Sequence, residues 1–252
     1  IPQYTTPQLM GVVTNFSAYG AYGLNSGDLD GDGDKDLVIL GPNGPYKPQM
    51  VINNGNGTFS YQDLYNGGKY LNYSVIVDFD QDGKMDVVVG DNGGISMYRN
   101  TGNSGTPSRP VFAAPVVLAN STVSDGFDMN SGHFDVVGLN SDGKLDFVLN
   151  YSKYVSPGIW DYKTRILINT STGGTYSFVA SLLQTTNATF GSIGGFNAIY
   201  EDVDANGMKD LVGNRNGITT YPSVQMTRLQ IDGSNQVTIL AEQKIVVANN
   251  LI

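Results

Sequence analysis

Residues 27–40 read GDLDGDGDKDLVIL, a stretch in which aspartates alternate with other residues before an apolar run begins. Three further segments repeat this pattern: VDFDQDGKMDVVVG at 77–90, VGLNSDGKLDFVLN at 137–150 and EDVDANGMKDLVGN at 201–214. In each copy a glycine stands at the same position of a polar loop. An aspartate and a short run rich in strand-forming apolar residues follow it. The loops start 50, 60 and 64 residues apart, and periods of this length are typical of propellers and other repeat arrays.

The sequence around each loop predicts four short strands. Two further strands follow the loop, and a turn rich in Gly, Asn and Thr leads into the last one, as in NGNGTF at 54–59. Four antiparallel strands joined by hairpins form a propeller blade. The predicted fold class is therefore all-β: a β-propeller of four-stranded antiparallel blades, with four recognisable blades that either close alone or belong to a larger ring. A β-sandwich or a β-solenoid is the alternative, but the unit is long for a solenoid coil and regular for a sandwich.

The predicted domain organisation is a single β-propeller domain over residues 1–252. Its blades are expected at residues 25–65, 73–118, 127–184 and 194–247. Residues 7–14 look like a surplus outer strand. An unpaired sheet edge is prone to association, so we expect this strand to pair with a blade other than the one it precedes, in the same ring or in a second copy of the chain.

We number each loop from its first residue, so that Asp28, Asp78 and Asp202 are at position 1. These three loops carry carboxylate or amide side chains at positions 1, 3, 5 and 9 and a glycine at position 6. Alternating carboxylates across a tight turn bring their oxygens to one point. Oxygen ligands without His or Cys favour a hard cation, and calcium tolerates irregular cages better than magnesium does. Position 7 varies, as expected if only its backbone carbonyl binds. The predicted calcium ligands are Asp28, Asp30, Asp32, Asp34, Asp36, Asp78, Asp80, Asp82, Lys84, Asp86, Asp202, Asp204, Asn206, Met208 and Asp210.

The third loop departs from this pattern, because position 1 is Gly138. Its candidate ligands, with water in place of the missing carboxylate, are Asn140, Asp142, Lys144 and Asp146. We therefore expect three calcium sites and leave a fourth, weaker one open. EF-hands are excluded, because they need a bidentate glutamate at position 12 and a helix on each side. Position 12 here is occupied by Ile39, Val89, Leu149 and Gly213.

The charge distribution agrees with cation binding and argues against nucleic acid as a partner. The chain has 252 residues, a formal net charge of −9, no cysteine and 32 glycines. More than half of its 23 acidic residues lie in the four loops, where they would repel one another strongly without a cation. Three calcium ions would bring the net charge to about −3, an ordinary value for a soluble domain. No apolar run approaches the roughly 18 residues that a membrane-spanning helix needs.

The motif D-x-D-x-D-G-x-x-D between two strands resembles the FG-GAP/VCBS-type repeat, which forms the calcium-binding blades of integrin α-subunit propellers and of certain fungal lectins. The resemblance covers most of the chain. It implies that each loop joins the first and second strands of a blade and binds calcium structurally, in an extracellular or cell-surface protein. It does not fix the function, because the family includes adhesion receptors, lectins and domains of polysaccharide-degrading enzymes.

Three classes of function follow from this resemblance. The first is a calcium-stabilised binding module, lectin-like or adhesive, that binds a glycan or a protein on the face opposite the calcium loops. The second is a structural or assembly subunit, and the third is an accessory or catalytic propeller of a polysaccharide-degrading enzyme. Aromatic residues beside Asn and Gly suit stacking on sugars or contact with a protein, although some would instead pack between blades. The candidate ligand-binding residues are Tyr46, Tyr70, Tyr73, Tyr154, Trp160 and Tyr162.

No catalytic motif is recognisable, and we expect no enzymatic activity. The one histidine, His133, cannot form a multi-histidine metal site and lies two residues before Asp135, so we expect an ordinary polar role for it. Seven Asn-x-Ser/Thr sequons would allow glycosylation, although such triplets also arise by chance in turns. They lie at Asn15, Asn56, Asn72, Asn120, Asn150, Asn169 and Asn187. The first residues, IPQYTTPQLM, look like the start of a processed segment.

Overall fold

The structure, a computed structural model, describes residues 23–40, 48–64, 71–91, 94–120, 133–156, 159–183, 199–214 and 224–245. In these ranges the regular structure is β-strand, and no helix there is long and apolar enough to cross a membrane. The strands are β1 (Gly23–Gly27), β2 (Asp36–Leu40), β3 (Gln49–Asn53), β4 (Phe59–Asp63), β5 (Leu71–Val77), β6 (Asp86–Asp91), β7 (Gly94–Tyr98), β8 (Asn100–Ser104), β9 (Arg109–Phe112), β10 (Val116–Asn120), β11 (His133–Val137), β12 (Asp146–Ser156), β13 (Ile159–Asn169), β14 (Phe178–Leu183), β15 (Ile199–Glu201), β16 (Asp210–Asn214), β17 (Val224–Ile231) and β18 (Val237–Ile245).

Sixteen of these strands form four sheets, each with four strands in chain order. Sheet 1 is β1–β2–β3–β4, sheet 2 is β5–β6–β7–β10, sheet 3 is β11–β12–β13–β14 and sheet 4 is β15–β16–β17–β18. The pairings recorded in them are antiparallel. This is the topology of a propeller blade, so the predicted all-β class and the four-stranded antiparallel repeat are confirmed. Closure of a ring stays a prediction, and residues 7–14 lie outside the described ranges.

The same hairpin joins the first two strands of every sheet. The last ladder pair before the loop is Gly27 with Asp36, Val77 with Asp86, Val137 with Asp146 and Glu201 with Asp210. The intervening residues are the four acidic segments, here named loop 1 (28–36), loop 2 (78–86), loop 3 (138–146) and loop 4 (202–210). Each loop therefore connects the first and second strands of its sheet, as the resemblance implied.

Sheet 2 contains an insertion that the sequence pattern does not predict. Strands β8 and β9 pair with each other as a separate two-stranded sheet between β7 and β10. The segment TGNSGTPSRP between residues 101 and 110 lacks the period-two alternation of apolar residues that marks a half-buried strand. The sequence therefore predicts a loop here, although the backbone pairs as a hairpin in the structure.

The chain divides into two compact units, of which residues 1–91 and 96–117 form the first and residues 92–95 and 118–252 the second. Alternate residues of the strands supply the core of each unit; in β2, for example, positions 36, 38 and 40 are buried. The core of the first unit contains Leu29, Val38, Leu40, Met50, Ile52, Leu64, Leu71, Val87, Val89 and Tyr98. The core of the second contains Leu139, Val148, Ile166, Ile168, Leu183, Met208, Leu211, Leu229 and Val237. Both cores include a residue at position 2 of an acidic loop, so the loops are anchored in packed protein.

Candidate metal centre

The first aspartate of a loop forms the turn that carries the other candidate ligands. Asp28 accepts hydrogen bonds from the backbone N–H groups of Gly31 (2.7 Å) and Gly33 (3.0 Å). Asp78 and Asp202 accept the N–H of the glycine at position 6, at 2.9 Å in both loops. That glycine has a φ between +81° and +94° in all four loops, a conformation that residues with a Cβ rarely adopt. The aspartate at position 1 therefore holds the turn in loops 1, 2 and 4, and the glycine at position 6 gives all four loops the same local conformation.

The aspartate at position 9 is buried in every loop and ties the loop to the third strand of its sheet. Asp36, Asp86, Asp146 and Asp210 are all 0% exposed. One oxygen of each accepts the N–H of the residue at position 2, at 2.7 to 3.1 Å; these residues are Leu29, Phe79, Leu139 and Val203. The other oxygen accepts an N–H from the third strand or the residues just after it, at 2.8 to 2.9 Å; these residues are Asn53, Asn100, Asn169 and Leu229. We call this pair of charge-assisted hydrogen bonds the position-9 bridge.

Burial makes several of these carboxyls weaker acids. Burial raises the pKa of Asp86 and of Asp146 to about 6, and the backbone hydrogen bonds that they accept offset only part of this change. The pKa of Asp36 is raised for the same reason. In loop 1, burial and the negative charge of Asp32 together raise the pKa of Asp30 to about 6. A positive charge among these carboxylates would therefore be favourable.

Three of the four loops bring carboxylate oxygens together. One oxygen from each member of a trio lies within 4.8 Å of the others; the trios are Asp28, Asp30 and Asp32; Asp78, Asp80 and Asp86; and Asp202, Asp204 and Asp210. Asp30 is only 8% exposed, and its Oδ1 is buried without a hydrogen-bond partner, as is Oδ1 of Asp78. An orphaned, buried carboxylate oxygen is costly in a folded protein. A hard cation at the trio would satisfy it, so these residues fit calcium.

The remaining candidate ligands differ between loops. Asp36 is not in the loop 1 trio, whereas the equivalent Asp86 and Asp210 complete the trios of loops 2 and 4. Asn206 uses its side chain within the protein, donating to the carbonyl of Leu229 at 3.0 Å and accepting the N–H of Met208 at 2.8 Å. At position 7, the Met208 side chain is 1% exposed and belongs to the core of the second unit. This arrangement agrees with a ligand role for the backbone carbonyl alone at position 7, and the ligand assignment itself stays a prediction.

Loop 3 keeps the position-9 bridge without a cluster of carboxylates. Its Asp146 accepts the N–H groups of Leu139 and Asn169 at 2.8 Å each. A Cβ on Gly138 would lie 3.2 Å from the carbonyl oxygen of Lys144, closer than most Cβ contacts, so an aspartate there would require an adjustment. The Nζ of Lys144 donates to the carbonyl of Ser171 at 2.8 Å. Loop 3 therefore shows that the bridge can form in a loop without an acidic trio among the residues that the structure describes.

An asparagine at or just after the end of the third strand is a repeated feature of sheets 1, 2 and 3 that the sequence reasoning missed. The side-chain oxygens of Asn53, Asn100 and Asn169 each accept the N–H two residues later, at 2.9 to 3.1 Å, forming Asx turns. Asn100, which is 1% exposed, also donates from Nδ2 to the carbonyl of Leu29 in loop 1, at 2.7 Å. The recurring words VIN, YRN and LIN at the end of the third predicted strand were the available signal.

Three of the six candidate ligand-binding aromatics lie on a long hairpin. β12 and β13 have 11 residues each and pair with each other from residues 147 to 156 and 159 to 167, with Tyr154 opposite Trp160 and Tyr162 opposite Ser152 in the backbone register. Within the described residues, their other partners, β11 and β14, pair with them at residues 146–150 and 164–169. Tyr73 is half-buried in β5. Tyr46 and Tyr70 lie outside the described residues.

His133 belongs to a polar contact between first strands. Its Nε2 lies 3.2 Å from Oδ1 of Asp135, and the hydroxyl of Tyr200 donates to Oδ2 of the same carboxylate at 2.5 Å. β11 carries His133 and Asp135, and β15 carries Tyr200, so the contact connects sheets 3 and 4 within the second unit. The geometry is that of a structural hydrogen-bonded group.

Among the sequon asparagines whose burial the structure describes, Asn150 and Asn169 are buried. Asn150 is 7% exposed and accepts the hydroxyl of Thr164 at 2.7 Å, and Asn169 is 4% exposed and donates to the carbonyl of Leu145 at 3.0 Å. A glycan on either side chain would have to displace these contacts. Asn56 and Asn120 are exposed, and Asn15 and Asn187 lie outside the described residues.

A cavity of about 310 Å³ lies in the first unit. It lies beside β3 and β4 of sheet 1, β7 of sheet 2 and β9 of the inserted hairpin. Its lining includes Met50, Gln62, Asp63, Leu64, Tyr98 and Phe112. The side-chain oxygen of Gln62 is buried and has no hydrogen-bond partner, whereas its Nε2 donates to the carbonyl of Pro110 at 3.1 Å. Aromatic and aliphatic walls with one free acceptor suit a small polar ligand.

We expect the metal-free protein to be less stable at pH 7 than at pH 5. Because the folded pKa values of Asp30, Asp86 and Asp146 are raised to about 6, their stabilising contribution is complete below the unfolded pKa of about 4 and is lost as the pH rises through 6. Calcium binds the ionised form, so its stabilising effect should instead grow with pH. Melting curves of metal-stripped protein from pH 4 to 8, with and without calcium, measure both trends. A metal-free melting temperature that rises steadily from pH 4 to 7 would contradict the assignment.

Comparison with known proteins shows that the segments containing the first three loops match a protein family. Residues 28–77 and 78–149 each match the family described as FG-GAP-like repeat. No curated protein matches the chain. A solved lectin from Agrocybe aegerita, described as recognising non-reducing terminal N-acetylglucosamine, shares 17% sequence identity and a TM-score of 0.37 with the chain, over 86% of this chain and 64% of the lectin. The chain thus spans less than two thirds of that lectin's length, and a likeness this low does not define a shared ligand.

Proposed function

We propose that this chain, whose residues 28–77 and 78–149 are FG-GAP-like repeats, is a calcium-stabilised extracellular binding module for a carbohydrate or protein ligand. The observation that carries the calcium part is the convergence of three carboxylates in each of three loops, each within 4.8 Å. The partnerless Oδ1 atoms of Asp30 and Asp78 point to the same ligand. None of these loops contains a cysteine or a histidine, which favours calcium over transition metals.

The role proposed for calcium is structural. The position-9 aspartate is buried in all three loops that carry a trio, and the position-2 residue is buried in loops 1 and 2, as Leu29 and Phe79. When bound, calcium would supply the positive charge that cancels carboxylate repulsion and links both ends of the loop. Loops of this kind in extracellular modules bind calcium at about 10⁻⁴ to 10⁻³ M. Such affinities suit a location where calcium is abundant, which is the basis for the proposed extracellular role.

The proposed ligand site is the β12–β13 hairpin. Its register brings positions 154 and 160 opposite each other, beyond the part of sheet 3 that pairs with β11 and β14. Tyr154, Trp160 and Tyr162 thus belong to one two-stranded ribbon, at the end of the sheet away from loop 3. Aromatic rings offer large, rigid surfaces for sugar rings or for a protein hot spot.

The cavity beside β3 and β4 is a second location for the ligand. Its volume of about 310 Å³ is at the lower end for small-molecule sites. The free acceptor of Gln62 beside Tyr98 and Phe112 provides one polar anchor against two aromatic walls. A ligand with a hydroxyl donor and an apolar face, such as a single sugar ring, would satisfy that anchor.

Glycan-array binding in calcium tests the proposed function. We expect binding of at least one glycan, loss of that binding in Trp160→Ala, and no loss in the control Tyr176→Ala, which removes an aromatic ring from the β13–β14 turn. Calcium affinity and melting temperature should be the same in both variants. Loss in Gln62→Ala instead of Trp160→Ala would move the site to the cavity. Absence of binding to any glycan, together with absence of a captured protein partner on extracellular matrix, would contradict a binding module.

A further inference from the structure

Loop 2 differs from loops 1 and 4 because protein cations contact its carboxylates. The Nε of Arg99 donates to Oδ2 of Asp80, and its Nη2 lies 3.1 Å from Oδ2 of Asp82. The Nζ of Lys84 lies 3.0 Å from the same Asp82 oxygen. Within the described ranges, no lysine or arginine forms an ion pair with an aspartate of loop 1 or loop 4. Loop 2 therefore has an internal source of positive charge.

The fold holds Arg99 beside loop 2. Arg99 follows the last residue of β7 directly and precedes Asn100, whose N–H donates to Asp86 in the position-9 bridge at 2.8 Å. The backbone on its C-terminal side is thus attached to the loop itself. Its side chain is 46% exposed, so the guanidinium can leave the carboxylates without unfolding the sheet. The Arg99 side chain can therefore leave the carboxylates and return while its backbone stays in place.

The equivalent residue in the other repeats makes no such contact. Arg99 directly precedes the donor that the third-strand side contributes to the position-9 bridge. The residue at this place is Ile52 in sheet 1 and Ile168 in sheet 3, and both are buried in the cores. In sheet 4 it is Arg228, whose Nε is buried without a hydrogen-bond partner and which forms no ion pair with a loop 4 aspartate. The contact with the trio is therefore particular to Arg99 among the four described repeats.

We infer that Arg99 competes with calcium at loop 2, so that loop 2 binds calcium more weakly and more reversibly than loop 1. Asp80 belongs to the loop 2 trio, and the Arg99 guanidinium occupies one of its oxygens. A divalent cation at the trio must displace the guanidinium or lie beside it, and either event lowers affinity. The partnerless Oδ1 of Asp78 remains available, so the competition weakens the site without abolishing it. The chain therefore has calcium sites of two affinity classes, an inference that rests on the proposed calcium binding.

Isothermal titration with calcium chloride tests this inference in the full chain. The wild-type protein should show a weaker class of site that Asp78→Asn removes. In Arg99→Gln and in Arg99→Met, which keeps the aliphatic stem, that class should bind calcium about tenfold more tightly, because a neighbouring positive charge costs about 1.4 kcal/mol or more at this range. The control Arg109→Gln removes the same charge from exposed β9 and should leave both classes unchanged. Arg99→Lys should lie between wild type and Arg99→Gln.

A gain of affinity cannot come from a poorly folded variant, so the sign of the change is decisive. If the weaker class keeps or loses affinity in both Arg99→Gln and Arg99→Met while Asp78→Asn still removes it, Arg99 does not compete and the inference is overturned. An equal gain in Arg109→Gln would also overturn it, since the effect would then be that of net charge. If the wild-type protein binds no calcium at all, the proposed function fails, which is a different result.

Discussion

Removal of calcium is expected to lower the melting temperature of this protein by roughly 15 °C or more. A ligand present at about 100 times its dissociation constant stabilises the folded state by about 2.7 kcal/mol per site. Three sites would contribute about 8 kcal/mol, and 1 kcal/mol changes the melting temperature of a chain of this size by about 2 to 4 °C. The physical cause lies in the trios, where three aspartates converge within 4.8 Å in each of three loops. Thermal unfolding of metal-stripped protein with and without 10 mM calcium, which is about 100 times a dissociation constant of about 10⁻⁴ M, measures the effect.

Single-loop variants show where the calcium effect arises. Asp30→Ala and Asp80→Ala should each remove part of the stabilisation by calcium, because each takes one member from a trio. Asn140→Ala should remove least, because loop 3 has no trio among the described residues. Magnesium at the same concentration is the control for ionic strength and should stabilise much less. An identical melting curve with and without calcium would refute a structural role for the ion.

Replacement of Asp146 by alanine is expected to lower the free energy of unfolding by about 3 to 5 kcal/mol, with or without calcium. Asp146 is 0% exposed, and its two oxygens accept the N–H groups of Leu139 and Asn169 at 2.8 Å. Alanine leaves both donors buried without a partner and opens a space between loop 3 and β13. The change removes no member of an acidic trio, so calcium should not compensate for it.

Asp142→Ala is the matched control, because it removes a carboxylate from the same loop at an exposed position. Its Oδ1 accepts only the local N–H of Lys144 among the described residues, at 2.9 Å, and its loss should cost less than about 1 kcal/mol. Urea unfolding of the two variants in EDTA gives both values. Equal costs for Asp142→Ala and Asp146→Ala would show that the position-9 bridge is not a major source of stability.

The sheets were predictable from the sequence because each repeat contains its own local signals. In loop 1, Asp28 and Gly33 form the turn through a hydrogen bond over five residues, and the alternation in β2 follows at once. The position-9 bridge was not predictable in full, because its second donor lies 17, 14, 23 or 19 residues from the aspartate in the four repeats. Asp36 could be named as a candidate ligand, but its two backbone partners follow only from the paired strands.

The Arg99 contact was hidden for a similar reason. Arg99 lies 19 residues from Asp80 and 17 from Asp82, and only the return of β7 to the loop side of the sheet brings it there. The insertion of β8 and β9 was hidden because the segment at 101–110 is rich in small and polar residues and lacks an apolar alternation. Local spacing thus predicts the turn and the trio, while the charges and donors around the trio depend on strand register.

The most direct test of calcium binding is the number of ions that the protein holds. Metal-stripped protein is dialysed to equilibrium against 10 mM calcium, and bound calcium is measured by elemental analysis in the wild type and in single variants. We predict three calcium ions per chain, falling to about two in Asp28→Asn, in Asp78→Asn and in Asp202→Asn, because each variant weakens one trio. Asp142→Asn, in loop 3, should leave three. A wild-type protein that binds no calcium at this concentration, or that loses none in the three trio variants, would contradict the account.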